Sequence, residues 1–574
     1  MNKFIRADMN KKVVKISEVE NKYKYKGGRL LTSTLINDEV PATCEPLKEK
    51  NKLIIAPGLL GGTSASSSGR LSIGAKSPLT NGIKESNSGG TFAKKLASLG
   101  YQAVIVEEQN NDDDWYILRI TNSKVEIIKY NNIIGMDNYD ACKHLRNDFG
   151  ENIGIIVIGE AGEREYPIAT CAITDREGSP ARQAARGGLG AVMGSKGLKA
   201  VVIDDENAAG IEYKNQDKYR ATVSEWSKEL IEGKEALTKF GTAVLVNPMN
   251  EIGCLVTEKS TKGSFDGKEN ISGEKLAELQ EERNGKPSHA CMPGCVIRCS
   301  NVYNDSEGNH LTSSLEFETI VLNGSNLGID NLDIIAKIDR FCDGFGLDTM
   351  DLGNAIAMAM ETGYLSYGDS DAVLELLEKI KEDSLLGRIV AQGVAIAGKV
   401  LGAERIPEVK GQGISAYDPR ALKGTGVTYA TSPMGADHTA GNCLPGREGF
   451  TEAGKANLDP HDNEGKIELS KEMQIMSAMC DALGLCVFVG TNENTAEKSA
   501  KLMTALYGDN FEVKDIYDLG RETIKVELEF NRNAGITNSE NKHREFYKNE
   551  KLPPKNVNWD VDKNKLENIF NNLS

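Results

Sequence analysis

The sequence predicts an α+β multidomain fold, a β-rich N-terminal domain followed by two mainly helical domains, and three observations predict it. The first is length: 574 residues exceed what one hydrophobic core ordinarily serves, so roughly two to four domains are expected. The second is the recurrence, up to about residue 205, of short β-rich runs punctuated by glycine clusters: "NKLIIAPG", "YQAVIVEE", "WYILRITNSKVEIIKY", "IGIIVIGE" and "KAVVIDD". The third is a change of period. From "NQDKYRATVSEWSKELIEGKEALTKFGT" onward the apolar residues recur at helical spacing, as in "NLDIIAKIDRFCDGFG" and "SDAVLELLEKIKEDSLLGRIVAQGVAIAGKVLG". A softer break falls at "GAERIPEVKGQGISAYDPR", where Gly and Pro gather, and the expected domains are residues 1–207, 208–406 and 407–574. The polar tail "SENKHREFYKNEKLPPKNVNWDVDKNK" reads as a surface extension.

Charge and composition exclude several classes. With 84 acidic against 68 basic residues the formal net charge is −16, which repels phosphate backbones and anionic lipid, so neither nucleic acid nor a membrane is an expected partner. The N-terminus lacks an apolar signal core and no apolar run reaches the length of about 18 residues needed to cross a bilayer. Eleven cysteines, an odd number at low density, fit reduced thiols and metal ligands better than a disulfide framework, and a reducing cytoplasmic location follows.

Two glycine-rich segments invite an anion. "APGLLGGTSASSSGRLSIGAKSPLTNGIKESNSGGTFAKKLASLG" combines unobstructed backbone N–H groups with Arg70, Lys76 and Lys84, and its "NSGG" runs into a helix-like stretch whose first N–H groups would point outward. The bland alternative is a flexible Ser/Gly surface loop. The second, "RQAARGGLGAVMGSKGLKAVVID", fails both nucleotide tests: Gly188 to Gly194 reads G-x-G-x-x-x-G, one residue too long for the dinucleotide fingerprint, and "GSKG" lacks a P-loop ending.

The cysteines are distributed unevenly. Cys291, Cys295 and Cys299 fall within "HACMPGCVIRCSN", where Pro293 and Gly294 argue against a helix and for a loop that turns its thiolates inward, around an iron–sulfur cluster or a zinc ion. Three buried cysteines acting as small apolar residues are the alternative. A fourth ligand is offered by Cys486 in "CDALGLCVFVG". That phrase echoes "CDGFGLDTMDLG": Cys-Asp-x-x-Gly-Leu occurs twice, followed by Asp348 in the first copy and by Cys486 in the second. Two copies suggest a group with two similar halves, gripped by Asp343 and Asp481.

These segments, with "IGEAGE", "FGTAVLVN", "EFETIVLNGSNLGIDNLDIIAKIDRFCDGFGLDT" and "YDPRALKGTGVTYATS", stand in the order found in the tungsten-containing aldehyde:ferredoxin oxidoreductase family, which the chain resembles over nearly its whole length. The resemblance implies that the N-terminal domain binds a tungsten (or molybdenum) bis-pyranopterin against the two helical domains, each supplying one pterin motif, with a [4Fe–4S] cluster nearby. It implies Mg²⁺ bridging the pterin phosphates, with Arg70, Asn87 and Gly89 of one loop and Ala184, Arg186 and Gly187 of the other around them. Asp343, Leu347 and Asp348 would meet one pterin and Asp481 and Leu485 the other; an ionised carboxylate accepts from the ring's N–H donors. Cys291, Cys295, Cys299 and Cys486 would carry the cluster, while Glu318 in "LEFETI" and His438 in "MGADHTAG" would manage protons at the metal. The implied activity is oxidation of a small-molecule aldehyde to a carboxylic acid, with electrons leaving through the cluster to ferredoxin or a similar carrier.

The sequence departs from the family pattern in three places. The cluster cysteines begin C-x3-C in "CMPGC" where the family usually has C-x2-C. Lys337 stands where characterised members place a glutamate that binds a dimer-bridging metal, so a homodimer would lack that metal. Ala440 replaces a lysine found in some members two residues after the active-site histidine, which leaves substrate choice open. The alternatives are a same-cofactor enzyme acting on a non-aldehyde substrate, such as an acyl-thioester, within a complex, and a non-catalytic zinc-stapled scaffold.

Overall fold

The computed structural model describes residues 1–455 and 459–573. Twelve strands build the N-terminal part: β1 (Lys3–Asp8), β2 (Val13–Glu18), β3 (Leu53–Pro57), β4 (Leu71–Lys76), β5 (Ile83–Ser88), β6 (Tyr101–Glu107), β7 (Tyr116–Ile120), β8 (Val125–Lys129), β9 (Gly154–Val157), β10 (Cys171–Ile173), β11 (Arg182–Ala184) and β12 (Leu198–Ile203). They form two six-stranded sheets, ordered β2-β1-β6-β3-β4-β5 and β11-β10-β9-β12-β7-β8. Each apolar run quoted above becomes a strand; "LIIAP" and "LKAVVI" are buried on both faces, which explains their unbroken rather than alternating hydrophobicity. Between the sheets lies a common core that includes Ile5, Ile55, Ile73, Val104, Ile156 and Val201. The edge strands β5 and β11 pack against one another, so the two glycine-rich segments meet at one rim.

Beyond residue 210 the chain is mainly helical. The helices Phe317–Asn323, Leu332–Phe345, Thr349–Glu361 and Val394–Leu401 share one core, and Lys466–Leu483 and Glu493–Tyr507 share another. Helix Lys466–Leu483 packs on both Val513–Asn533 and the N-terminal helix Gly28–Glu39. No helix of the described residues is long and apolar enough to cross a membrane.

Three elements differ from the sequence expectation. The glycine-rich segment after Arg70 is no loop: "LSIGAK" and "IKESNS" pair as the antiparallel strands β4 and β5. A small sheet, Lys286–His289, Ser300–Asn304 and His310–Ser313, interrupts the helical half and flanks the cysteine loop. The polar tail packs inward, burying Tyr547, Leu552 and Trp559; His543 lies 2.7 Å from the Gly426 carbonyl, and burial lowers its imidazole to about 4. Its few apolar residues are too thinly spread among lysines and asparagines to show a period.

The repeated phrase has one structural meaning. Helices Leu332–Phe345 and Lys466–Leu483 both end at a left-handed glycine, Gly346 with φ 86° and Gly484 with φ 76°. Leu347 N–H returns to Cys342 O at 2.9 Å and Leu485 N–H to Cys480 O at 2.9 Å. Each turn is then clamped by the N-terminal part. Leu59 and Leu60 donate to Ala482 O and Leu483 O, and Arg70 N–H donates to Gly484 O; at the other copy Thr170 N–H donates to Gly346 O and Asp348 N–H to Ile168 O. The backbones approach so closely that a Cβ on Gly58 would lie 1.9 Å from Gly484 N, and one on Gly159 2.3 Å from Phe345 O.

Gly58→Ala is therefore expected to cost about 1–3 kcal/mol, read as an earlier urea midpoint. Gly233→Ala, whose Cβ would meet nothing within 4 Å, should leave the midpoint in place; equal behaviour of the two variants would disprove the tight junction.

Candidate active site

The site is organised by β5, a polar strand that is almost wholly buried. Its side chains alternate between faces. On one face Lys84 Nζ donates to Asp437 Oδ2 at 2.8 Å and Ser86 Oγ accepts from Arg186 N–H at 3.3 Å. On the other, Asn87 Nδ2 donates to Asp481 Oδ1 at 3.0 Å, and Glu85 lies close enough for its charge to act on Asp481. One strand thus touches the second copy of the repeated turn directly and the first through Arg186.

Arg70 is fixed by Asn87, through Nε to Oδ1 at 2.6 Å and Nη2 to the carbonyl at 3.1 Å. Asp481 also receives Arg29 Nη1 at 3.2 Å, and Arg29 is held bidentate by Glu527 at 2.8 Å for both bonds. In the other half Arg186 donates to Asp348 Oδ2 at 3.2 Å, Gly413 O at 2.6 Å and Ala436 O at 2.8 Å. Asp343 accepts from Tyr139 OH at 3.2 Å. Ala184 is a buried residue of β11 paired with Cys171; a Cβ on Gly187 would meet the Lys84 side chain, and one on Gly89 the Cys291 loop. Leu347 bridges to Ala169, and Leu485 is buried beside the second turn.

These carboxyl groups are under electrostatic strain. Burial raises Asp343 to about 7 against the pull of Arg182, and raises Asp348 and Asp481 to about 6 against Arg186 and Arg29 respectively. Glu85 is raised to about 8, by burial and then by Asp481, and its Oε1 is buried without a partner. An unsatisfied buried carboxyl group costs free energy. A ring system bearing amino and N–H donors fits this set, because its hydrogen bonds would stabilise the ionised forms. Asp437 behaves oppositely: burial alone would raise it, but Lys84 and Arg186 hold it well below the usual carboxylate range.

The cysteine loop is non-helical, with Gly294 at φ 82° and Arg298 at φ 52°. The serine-rich stretch before Arg70 supports it rather than forming a free loop. Ser66 Oγ accepts from Val296 N–H at 3.2 Å, Ser67 Oγ donates to Cys295 Sγ at 3.4 Å, and Ser67 O accepts from Cys486 N–H at 2.9 Å. Cys486 is thereby brought to the same place as the other three thiols. The N–H groups expected to receive an anion at the following helix are already occupied, Gly90 donating to Cys291 O and Thr91 to Thr174 O. Burial pushes the Cys291 thiol up to about 12 and raises Cys299 and Cys486, and neighbouring thiols add to each shift. A shared cation would remove that penalty. Tetrahedral zinc would draw its sulfurs to about 3.8 Å from one another, whereas among the described residues no three of these four lie within 4.8 Å.

Next to Asp437, His438 Nε2 stands 3.0 Å from Glu318 Oε1, and its Nδ1 is 3.1 Å from Ser415 Oγ. Both line a cavity of about 80 Å³ together with Tyr417, Asn442 and Phe488. Sequence reasoning missed Arg29, Glu527, Asp437 and Ser415, which bear no local motif. It named Lys84 only as a loop cation; the signal was "IKESNS", polar from Lys84 to Ser88 and set between Gly82 and the pair Gly89–Gly90.

The family model described as "Aldehyde ferredoxin oxidoreductase, N-terminal domain" matches residues 4–205, and "Aldehyde ferredoxin oxidoreductase, domains 2 & 3" matches residues 221–570. The tungsten-containing aldehyde ferredoxin oxidoreductases of Pyrococcus furiosus and Thermococcus kodakarensis are each 33% identical to the chain, covering 93% of it and 89% of their own lengths. The WOR-like subunit of an aliphatic sulfonate oxidoreductase from Pyrococcus furiosus is 27% identical over 78% of the chain and 76% of its own length. Among solved structures, the active site complex BamBC of benzoyl coenzyme A reductase, in complex with 1,5-dienoyl-CoA, superimposes with a TM-score of 0.78 at 19% identity, covering 94% of this chain and 90% of that one, and so shares the fold. With both domain models matched in order around one polar seam, the chain belongs to the aldehyde ferredoxin oxidoreductase family of oxidoreductases.

Proposed function

We propose that this oxidoreductase converts an aldehyde and water to a carboxylate, three protons and two electrons, and that ferredoxin or a similar carrier takes the electrons. The observation that carries this reading is the juxtaposition made by β5: Asp481 of the second turn on one face, Arg186 leading on to Asp348 of the first turn on the other, and the Glu318–His438 pair beside its Lys84 partner Asp437. Asp343, Asp348 and Asp481 would hold the two pterins, and Arg70, Asn87, Gly89, Ala184, Arg186 and Gly187 would surround the phosphates and a bridging Mg²⁺. Cys291, Cys295, Cys299 and Cys486 would carry a [4Fe–4S] cluster. When bound, the tungsten pterin supplies the two-electron redox chemistry.

The chain's own residues then have separate tasks. Ser415 holds the His438 ring through Nδ1 and leaves Nε2 shared with Glu318, so this pair can hold or pass one proton inside the cavity. An imidazole N–H can polarise the aldehyde oxygen, and the Glu318 carboxylate can take a proton from water. Phe488, Leu245 and Leu444 give the chamber an apolar lining. Its volume of about 80 Å³ is well below the ~150 Å³ that accepts benzene, which favours a short aldehyde over an aromatic thioester.

Glu318→Gln is expected to retain iron and tungsten while losing about 10²–10⁴-fold in turnover, measured as aldehyde-dependent viologen reduction; normal turnover would remove Glu318 from the mechanism. Cys486→Ala should lose the cluster's iron and its visible absorbance while remaining folded.

Asp343 gives a pH test. Its folded value, about 7 against an ordinary 3.8, means that the cofactor-free fold binds a proton the unfolded chain has released. The contribution is therefore favourable at low pH and is lost as pH rises from about 4 through about 7. In cofactor-free protein Asp343→Asn should raise the urea midpoint at pH 8 and leave it nearly unchanged at pH 4. In loaded protein the same variant should weaken pterin retention, because the amide replaces an ionised acceptor.

A further inference from the structure

The cavity lined by Glu318 and His438 also has a cationic wall residue. Arg447 lines it, and the described contacts give its guanidinium one protein acceptor, Thr491 Oγ1, 3.3 Å from Nη1. Five N–H donors are available on this group. Arg447 is half-buried, whereas the fully buried arginines are paired: Arg29 with Glu527 at 2.8 Å, Arg186 with Asp348 at 3.2 Å, Arg420 with Asp418 at 2.7 Å and Arg182 with Asp175 at 3.7 Å. Among the described residues no carboxylate forms an ion pair with Arg447, and none contributes to its electrostatics; the groups that favour its charge are Cys443, Cys480 and Tyr417. Burial pulls its guanidinium below the ordinary arginine value, the reverse of Arg29, Arg186 and Arg420. Nor is a neighbouring charge compensating it, because Lys234 is close enough for Arg447 to disfavour its protonation.

A half-buried arginine keeps its proton. It stands in the wall of a small chamber with no carboxylate of the described residues paired to it, an arrangement stabilised by an anion entering the chamber. The proton-handling pair lines the same chamber. A substrate lying across it would place its reacting carbon near Glu318 and His438 and its far group near Arg447.

We infer that Arg447 is a specificity-determining residue that selects short aldehydes carrying a second, anionic group, a carboxylate or a sulfonate. This rests on the aldehyde-oxidising reading above. The planar fork of the guanidinium matches either oxyanion, and the cavity of about 80 Å³ limits the spacer to a few carbon atoms. The overall reaction is unchanged: the aldehyde carbon gains a water-derived oxygen and loses two electrons, while the anionic group is only held.

The test uses the loaded enzyme in a viologen assay with 4-oxobutanoate, sulfoacetaldehyde and neutral butanal, comparing the native chain, Arg447→Gln and Arg447→Lys. The ratio of kcat/KM for a charged aldehyde over butanal is expected to fall about 10- to 100-fold in Arg447→Gln and to recover partly in Arg447→Lys. Which charged aldehyde is preferred distinguishes carboxylate from sulfonate. Titration calorimetry with succinate provides a readout independent of turnover, with binding expected to weaken by about the same factor; iron and tungsten contents confirm that the variants are loaded. Oxidation of butanal as efficiently as the charged aldehydes, with ratios unaltered in Arg447→Gln, would overturn the anion site and leave the proposed activity standing. Succinate binding that Arg447→Gln abolishes, in a loaded protein that oxidises no aldehyde, would do the opposite. A shift of the cluster's potential in Arg447→Gln with unaltered substrate ratios would assign the cation to the cluster and overturn the inference.

Discussion

The structure depends on one unusual constraint, a strand of polar residues buried at the rim where two sheets meet helices. Strand β5 carries Lys84, Glu85, Ser86, Asn87 and Ser88, four of them buried, in a position where a fold would ordinarily place valine or isoleucine. Such burial is tolerated only when the polar groups are matched. Lys84 finds Asp437, Ser86 finds Arg186 and Asn87 finds both Arg70 and Asp481. Because successive side chains point to opposite faces, these contacts sort into two sets, one on Asp481 of the second helix-end turn and one on Asp437 and Arg186, the latter leading on to Asp348 of the first. Glu85 is matched in part, by Ser72, while its Oε1 is left without a partner and the group feels the charge of Asp481.

Close backbone approach locks this arrangement. The left-handed glycines Gly346 and Gly484 end their helices sharply, and Gly159 and Gly58 let the N-terminal part reach them. A side chain at either N-terminal glycine would separate β-rich and helical parts by more than a hydrogen bond can bridge. The serine-rich loop between Gly58 and Arg70 follows from the same contact, since it must pass the second turn before entering β4. It meets the cysteine loop on the way, and the thiol cluster is consequently placed beside the second carboxylate turn rather than the first.

The comparison of sequence with structure is instructive at particular residues. The apolar runs of β3, β6, β9 and β12 were legible because burial on both faces leaves a continuous hydrophobic signature. The Cys-Asp-x-x-Gly-Leu echo was legible because the same backbone turn demands the same glycine twice. By contrast β4 and β5 were hidden, since their glycines and serines carry a loop composition although their hydrogen bonds are those of a hairpin. The C-terminal tail was hidden for a related reason: Tyr547, Leu552 and Trp559 are anchored by partners far away in the chain, not by a local period.

By itself the sequence determined which chemistry-bearing residues the chain owns: the four cysteines, the paired aspartates, Glu318 and His438, and the β-then-helix order that holds them. Those are properties of residue type, spacing and local period. Tertiary structure decided the company these residues keep. Arg29 meets Glu527 across nearly the whole chain, one strand divides its side chains between Asp481 and Arg186, and Arg447 lines a chamber with no carboxylate of the described residues paired to it. No local pattern can encode such partnerships, because burial and charge at a position are set by whatever distant segments fold against it.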